Sequence, residues 1–250
     1  MNIILTGGAG TIGKAFVNLL HKDHKITVID NNEWSLAQLQ DEFNIETHLM
    51  DFGDYTFSEL PCEVVIHCAA YKHVNLGEEN VSAFIDNNVN KTRKLFKEAQ
   101  FGGADILFIS TDKAVEPSSL YGYTKAIGEK LTETYNGTVA RLPNILSSTG
   151  SVIPVWEQQI EEDRPITITD DHMMRYVIED YDAVNQVWHS YLAGDKLIIP
   201  TCEERRLLDI LGDVLERHGT SAEGYTAGID VIGMRPGERL REKLKWKEEE

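Results

Sequence analysis

The 250 residues carry 41 acidic and 24 basic side chains, a formal net charge of −17. So acidic a chain repels phosphate backbones and anionic lipid over any broad face, which excludes general nucleic-acid or membrane-surface binding. With 42 % hydrophobic residues and no apolar run near the ~20 needed to span a bilayer, it reads as a soluble globular chain.

Asn2 to Thr6 predicts a short strand, followed at once by Gly7-Gly8-Ala9-Gly10-Thr11-Ile12-Gly13 and a helical pattern from Lys14 to His21. Strand, glycine turn and helix in that order are the context that a dinucleotide fingerprint requires. Gly7 and Gly10 permit the tight turn and close approach to a pyrophosphate, Gly13 lets the helix pack on the strand, and Thr11 and Ile12 open the helix. Because Met1 leads straight into that strand, no signal peptide is expected and a cytoplasmic location is. Lys25 to Ile29 predicts the second strand, ending in Asp30, which would bind the adenosine ribose and repel a 2′-phosphate. NAD is therefore expected, with NADP possible. Ser35 to Phe43 reads as a helix and Ile45 to Met50 as a strand, with Asp51 contacting adenine or capping the next turn.

Glu63 to Cys68 predicts a fourth strand, with Ala69 and Ala70 small enough to let a cofactor lie close and Lys72 at the mouth of the site. Three cysteines, Cys62, Cys68 and Cys202, lack metal-ligand spacing, so free thiols are expected and a metal site is not. A long helix is expected from Val81 to Phe101, in which Asn88 would tie the helix to the central strands. Ala104 to Ile109 is an apolar strand that runs into Ser110-Thr111-Asp112-Lys113. Tyr121 and Lys125 follow, four apart and so on one helix face. A lysine so placed would lower the phenol's pKa from ~10 towards neutrality, making it a base for a sugar hydroxyl. Thr138 to Leu142 is a sixth strand. Strands alternating with helices predict an α/β fold, a Rossmann-type doubly wound parallel sheet.

After Pro143 the pattern changes. A helix from Val155 to Glu162, strands from Pro165 to Thr169, Met174 to Ile178 and Leu197 to Pro200, a helix capped by Asp180, and a helix from Glu203 to Arg217 are expected. Residues 1–145 are read as the cofactor domain, and 146–250 mainly as a small C-terminal lobe with segments returning to the sheet. Arg175 and Arg235, flanked by apolar or Pro-Gly residues in so acidic a chain, are candidates to clamp a pyrophosphate. A charged end follows from Lys243.

These residues resemble the extended short-chain dehydrogenase/reductase superfamily, and within it the UDP-N-acetylglucosamine 4,6-dehydratases of polysaccharide and flagellin-glycan biosynthesis. The T-G-G-x-G-x-I-G start falls on Thr6 to Gly13, A-A-x-K-x-V on Ala69 to Val74, and S-T-D-K-A on Ser110 to Ala114. G-S-V-I-P falls on Gly150 to Pro154, M-x-R on Met173 to Arg175, and R-P-G-E on Arg235 to Glu238. Three departures stand out: Lys91 where the family has glycine, Pro143-Asn144 for Gly-Asn, and little chain after R-P-G-E. The presence of Tyr121 is similar to the soluble, C5-inverting branch.

The resemblance implies a UDP-sugar substrate held by Lys72, Asn144, Ser151, Val152, Arg175, Arg235 and Glu238 in a substrate-binding lobe, and a homo-oligomer. It also implies a division of labour. Tyr121, tuned by Lys125, deprotonates the 4-hydroxyl while Thr111 bonds that oxygen. Lys113 then removes the C5 proton and Asp112 protonates the departing 6-hydroxyl, with the reverse assignment of these two left open. The product would be a UDP-4-keto-6-deoxy sugar. A 4-epimerase on the same scaffold, and a non-catalytic cofactor-binding sensor, are the rival readings.

Overall fold

The strands at the heart of the molecule are buried and mostly apolar on both faces, because helices cover them from both sides. The computed structural model describes residues 1–56, 62–146, 148 and 151–249. Its main sheet contains β1 (Asn2–Thr6), β2 (Lys25–Asp30), β3 (Glu46–Leu49), β4 (Val64–His67), β5 (Asp105–Thr111), β6 (Thr138–Leu142) and β10 (Leu197–Ile198). They are all parallel, in the order β10-β6-β5-β4-β1-β2-β3. Strand order reverses between β1 and β4, so the crevice of a doubly wound sheet opens at their carboxyl ends.

Helices α1 (Thr11–Leu20), α2 (Glu33–Phe43) and α8 (Asp180–Ala193) cover one face, where Phe16, Leu39 and Trp188 meet Leu5, Val28 and Ile66. On the other face α5 (Thr92–Phe101) sets Leu95 and Phe96 against Ile4, Val65 and Phe108. Beneath the crevice, buried His67 bridges the Thr6 and Thr92 hydroxyls at 2.6 and 2.9 Å, and burial drives its pKa well down. A third core gathers Trp156 of α7 (Val152–Glu161), Ile166 and Ile168 of β8 (Ile166–Ile168), and Leu211 and Leu215 of α9 (Leu207–Arg217). Among the described residues, no helix is long and apolar enough to cross a membrane.

Several expectations change. The helix expected from Val81 is α4 (Val81–Ile85), one π-helical stretch (Asp86–Lys91) and α5 in succession. The wider turn lets consecutive Asn87 and Asn88 both be buried. Glu203 to Arg206 is not helix but β11 (Glu203–Arg206), antiparallel to β9 (Met174–Ile178), because the open edge of β9 offers backbone partners. Leu197 to Pro200 shortens to β10 and joins the main sheet. Glu179, not Asp180, is the N-cap of α8, and Asp180 bonds the next backbone N–H instead. Helix α3 (Val74–Glu79), strand β7 (Asn144–Ile145) beside β9, and strand β12 (Ile229–Val231) beside β8 carried no clear sequence signal.

The charged end is not loose. Arg141, 1 % exposed, forks onto Glu129 of α6 (Leu120–Thr134) at 2.7 Å and onto Glu249 at 2.6 Å, and also donates to the Leu244 carbonyl. Ser110 donates to the same Glu129 at 2.5 Å. Removing one partner leaves the other's charge buried and unpaired. Arg141→Met should therefore lower unfolding free energy by ~3–5 kcal/mol in urea titration, and adding Glu129→Leu should recover much of it. A loss below ~1 kcal/mol would contradict this accounting.

Candidate active site

The carboxyl ends of the central strands open onto a cleft of about 790 Å³. At its base Gly7 takes φ +68°, and a Cβ there would lie 2.6 Å from the Ala69 nitrogen. A Cβ on Gly13 would overlap the Gly7 carbonyl oxygen, so helix and turn can meet only without side chains. Gly10 is different: it is exposed, and a Cβ there would lie no closer than 3.4 Å, from the Gly7 carbonyl oxygen, so the loop itself does not demand glycine there. Gly10 also caps α1 without a side-chain acceptor, leaving the helix's amino end, with Thr11 and Ile12, on the cleft wall. Asp30 accepts the Ala9 N–H at 3.0 Å and the Asn32 N–H at 2.9 Å, fixing the loop at the far end.

The chemistry-bearing pieces come from β5 and α6. Ser119 caps α6 by accepting the Gly122 N–H at 3.2 Å, which points the first turn at the cleft. Tyr121 and Lys125 line the cleft on one helix face, as their spacing predicts. Lys125 is 3 % exposed; its ammonium donates to the Ile109 carbonyl and sits 4.0 Å above the Phe108 ring. Burial lowers its pKa to about 8. The expected lowering of Tyr121 is overturned: burial first, then the Asp112 charge, raise the phenol, with only the Thr111 hydroxyl pulling down. Lys125 spends its charge on the strand carbonyl. Cys68 also lines the cleft, but burial pushes its thiol up to about 12, so it stays un-ionised.

At the end of β5 the Lys113 ammonium donates to Asp112 and to Asn144, each at 3.0 Å. Asp112, fully buried, also accepts from Thr111 at 2.9 Å and from the Asn144 amide at 3.1 Å. Thr111, Lys113 and Asn144 border the cleft, whereas Asp112 lies behind them. A further acid, Glu242, stands 3.8 Å from Lys113 and is only 5 % exposed. Its signal was easy to miss, since Arg241-Glu242-Lys243 reads as surface charge.

The remaining expected residues divide. Ala69, Ala70, Lys72, Ser151, Val152, Arg175, Arg235 and Glu238 all border the cleft. Asn88 and Asp51 do not. Asn88 exchanges hydrogen bonds with the Tyr71 backbone, both at 2.8 Å, and reaches Thr124 at 3.1 Å. Asp51 accepts the Gly53 N–H at 2.8 Å and pairs with Lys91 at 2.6 Å, so the unusual Lys91 consumes it. Arg175 spends its guanidinium on the Met174 and Arg239 carbonyls, at 2.7 and 2.9 Å. Gly150 lies outside the described residues. Asp170, Asp171 and His172 bring possible ligand atoms together on an exposed turn, where His172 is already paired with Asp171.

The sequence profile of a family described as polysaccharide biosynthesis protein matches residues 3–250. The chain belongs to that family. It is 35 % identical, over 99 % of its length and 81 % of the relative's, to a Methanocaldococcus jannaschii protein named as an uncharacterized membrane protein. It is 29 % identical to an inverting UDP-N-acetylglucosamine 4,6-dehydratase of Campylobacter jejuni, covering 96 % of this chain and 76 % of that one. Against the capsular polysaccharide protein CapD of Staphylococcus aureus, 31 % identical, the chain spans 99 % of itself but 45 % of the relative. UDP-glucose 4-epimerases of Rickettsia bellii are relatives as well, at 27 %. The solved structure of Pen from Bacillus thuringiensis superposes with a TM-score of 0.88 at 29 % identity, covering 97 % of this chain and 83 % of that one.

The lowered pKa of Lys125 has a direct readout. With lysine side chains labelled with carbon-13, one resonance should titrate near pH 8, its neutral form growing as pH rises, and Lys125→Met should remove it. If every lysine titrates above pH 10 in the wild type, the burial of Lys125 is wrong.

Proposed function

We propose that the protein is an NAD-dependent nucleotide-sugar 4,6-dehydratase acting on UDP-N-acetylglucosamine. The observation that carries this reading is the Asp112–Lys113 pair at the end of β5, with Lys113 facing the same cleft as Tyr121. A 4-epimerase needs Tyr121, Lys125 and a dinucleotide, but has no elimination to catalyse. Names of relatives support both the dehydratase and the epimerase class, and the paired groups favour the first.

The cleft fits a dinucleotide. Gly7, Gly10 and Gly13 leave a side-chain-free cradle at an uncapped helix end, suited to a pyrophosphate. Asp30, Ala69, Ala70, Tyr121 and Lys125 all border the cleft; Asp30 would meet the ribose, the two alanines would leave room, and Tyr121 and Lys125 would flank the nicotinamide. When bound, the nicotinamide supplies reversible oxidation of the sugar at C4 and its reduction at C6. Asp51 and Asn88 then act indirectly, through the turn at Gly53 and the loop at Tyr71.

The remaining steps belong to the protein's side chains. Tyr121 would take the proton of the 4-hydroxyl as phenolate, a form that the positive charge of a bound nicotinamide would favour against the burial and the Asp112 charge that oppose it, and Thr111 would bond that oxygen. The resulting 4-ketone acidifies C5–H; Lys113, the member of the pair that reaches the cleft, passes its own proton to Asp112 across their 3.0 Å hydrogen bond and removes the C5 proton as the neutral amine. The C6–O bond breaks, the departing oxygen takes the proton now held by Asp112, water leaves, and C5 takes up a proton as C6 is reduced. Asp112, sealed behind Lys113, serves as acid through its hydrogen bonds with Lys113 and Thr111 rather than by direct contact. Residues 146–250 mainly form the substrate lobe, where Arg235 and Glu238 take the diphosphate and ribose, with Ser151, Val152, Lys72 and Asn144 nearby. Arg175 supports them by holding the Arg239 carbonyl. The free thiols Cys62, Cys68 and Cys202 fit work in the cytoplasm.

Two sets of variants test these assignments. Tyr121→Phe should stop turnover before any reduced cofactor forms. Lys113→Met should allow oxidation at C4 and stall there, leaving near-ultraviolet absorbance that the wild type does not accumulate. Normal turnover by Lys113→Met would sink its role. Separately, Arg235→Ala should raise KM by about 5- to 150-fold, the equivalent of ~1–3 kcal/mol, more than it lowers kcat. An unchanged KM would remove Arg235 from the diphosphate site.

A further inference from the structure

Glu242 is a buried acid on the cleft that the proposed reaction leaves unused. It lies in a segment, residues 235–244, laid across the turn that carries Asp112 and Lys113. The Gly237 carbonyl accepts from Ser118 at 2.9 Å, Arg239 donates to the Val115 carbonyl at 3.0 Å, and Lys243 pairs with Glu116 at 2.6 Å. Arg241 bridges to Met174 at the edge of β9 and pairs with Glu204. With Arg241 and Lys243 directed outward, extended-chain alternation turns Glu242 inward.

A carboxylate this buried is costly unless a cation meets it. The cation placed on it is Lys113, at 3.8 Å, too far for a hydrogen bond but close enough for strong attraction where water is scarce. The ammonium therefore has three oxygens around it, from Asp112, Asn144 and Glu242. Each comes from a different part of the chain.

We infer that Glu242 is a positioning residue that holds Lys113 against the cleft for proton removal from C5. The inference rests on the reading of Lys113 as the base of an elimination. It also links two ends of the site. Arg235 and Glu238, on the same segment, meet the nucleotide, so seating the substrate and aligning Lys113 depend on one piece of backbone.

Glu242→Gln keeps the shape and removes the charge. With NAD⁺ and UDP-N-acetylglucosamine, oxidation at C4 should proceed at the wild-type rate while elimination slows by about tenfold or more. Reduced cofactor should then accumulate, and deuterium uptake at C5 from heavy water should fall by the same factor. KM should stay within about twofold, which a merely loosened segment would not allow. Glu242→Asp, which keeps the charge on a shorter arm, should fall between the two, and it carries the test should the glutamine variant not fold. In a Lys113→Met background, Glu242→Gln should change nothing further. A Glu242→Gln enzyme that turns over normally, or a second loss on top of Lys113→Met, overturns the inference alone. A wild type that yields only the C4 epimer overturns the reading of Lys113 and the inference with it.

Discussion

The Lys113 ammonium is the point on which three distant parts of the chain converge. Asp112 arrives at the end of β5, Asn144 on the short β7, and Glu242 on the C-terminal segment. The Asp112 and Glu242 carboxylates are withdrawn from water, so each charge would be costly alone and is tolerable beside a shared cation. The geometry of the cleft follows. Asn144 also donates to the Tyr176 carbonyl, tying this cluster to β9, and Arg175 on β9 holds the carbonyls of the closing segment. The lobe and the sheet are thus joined by polar bonds directed at one charge.

A net charge of −17 gives this arrangement its logic. In a chain with so many carboxylates, cations that are held in place are scarce and specifically deployed. Arg141 closes the C-terminal end onto β6, Lys125 holds the end of β5 at the cleft, and Lys113 gathers the acids. Arg235 is exposed at the rim, where its backbone N–H is held by Glu238 at 2.9 Å. An anionic substrate entering so acidic a protein would meet its positive charge there and at Lys72.

Legibility in the sequence followed contact range. The glycine loop, Asp30, and the Tyr121–Lys125 face were readable because each is set by a few neighbouring residues after a strand. The parallel sheet is legible because most of its strands are short apolar runs; a strand is expected at Leu197 to Pro200 too, but its place beside β6 is set by the fold. The π-helical stretch, β11 and β12 escaped because tertiary pairing decides them over local propensity. Glu242 escaped for the same reason, since its burial depends on where residues 235–244 are laid. The tuning of Tyr121 is not legible for a different reason. Spacing places Lys125 on the right face, but only the packed strand reveals that its ammonium is committed to the Ile109 carbonyl. Lys91 stands out in the sequence, yet its pairing with Asp51 depends on the fold that brings them together.

The central claim is that this cleft removes water from a nucleotide sugar rather than inverting C4. Proton NMR of the purified protein with NAD⁺ and UDP-N-acetylglucosamine in heavy water tests it most directly. The account predicts a new methyl signal from C6, coupled to no proton at C5 because deuterium has entered there. Sugar signals that convert to the C4 epimer, with C5–H retained and no methyl group formed, would contradict it.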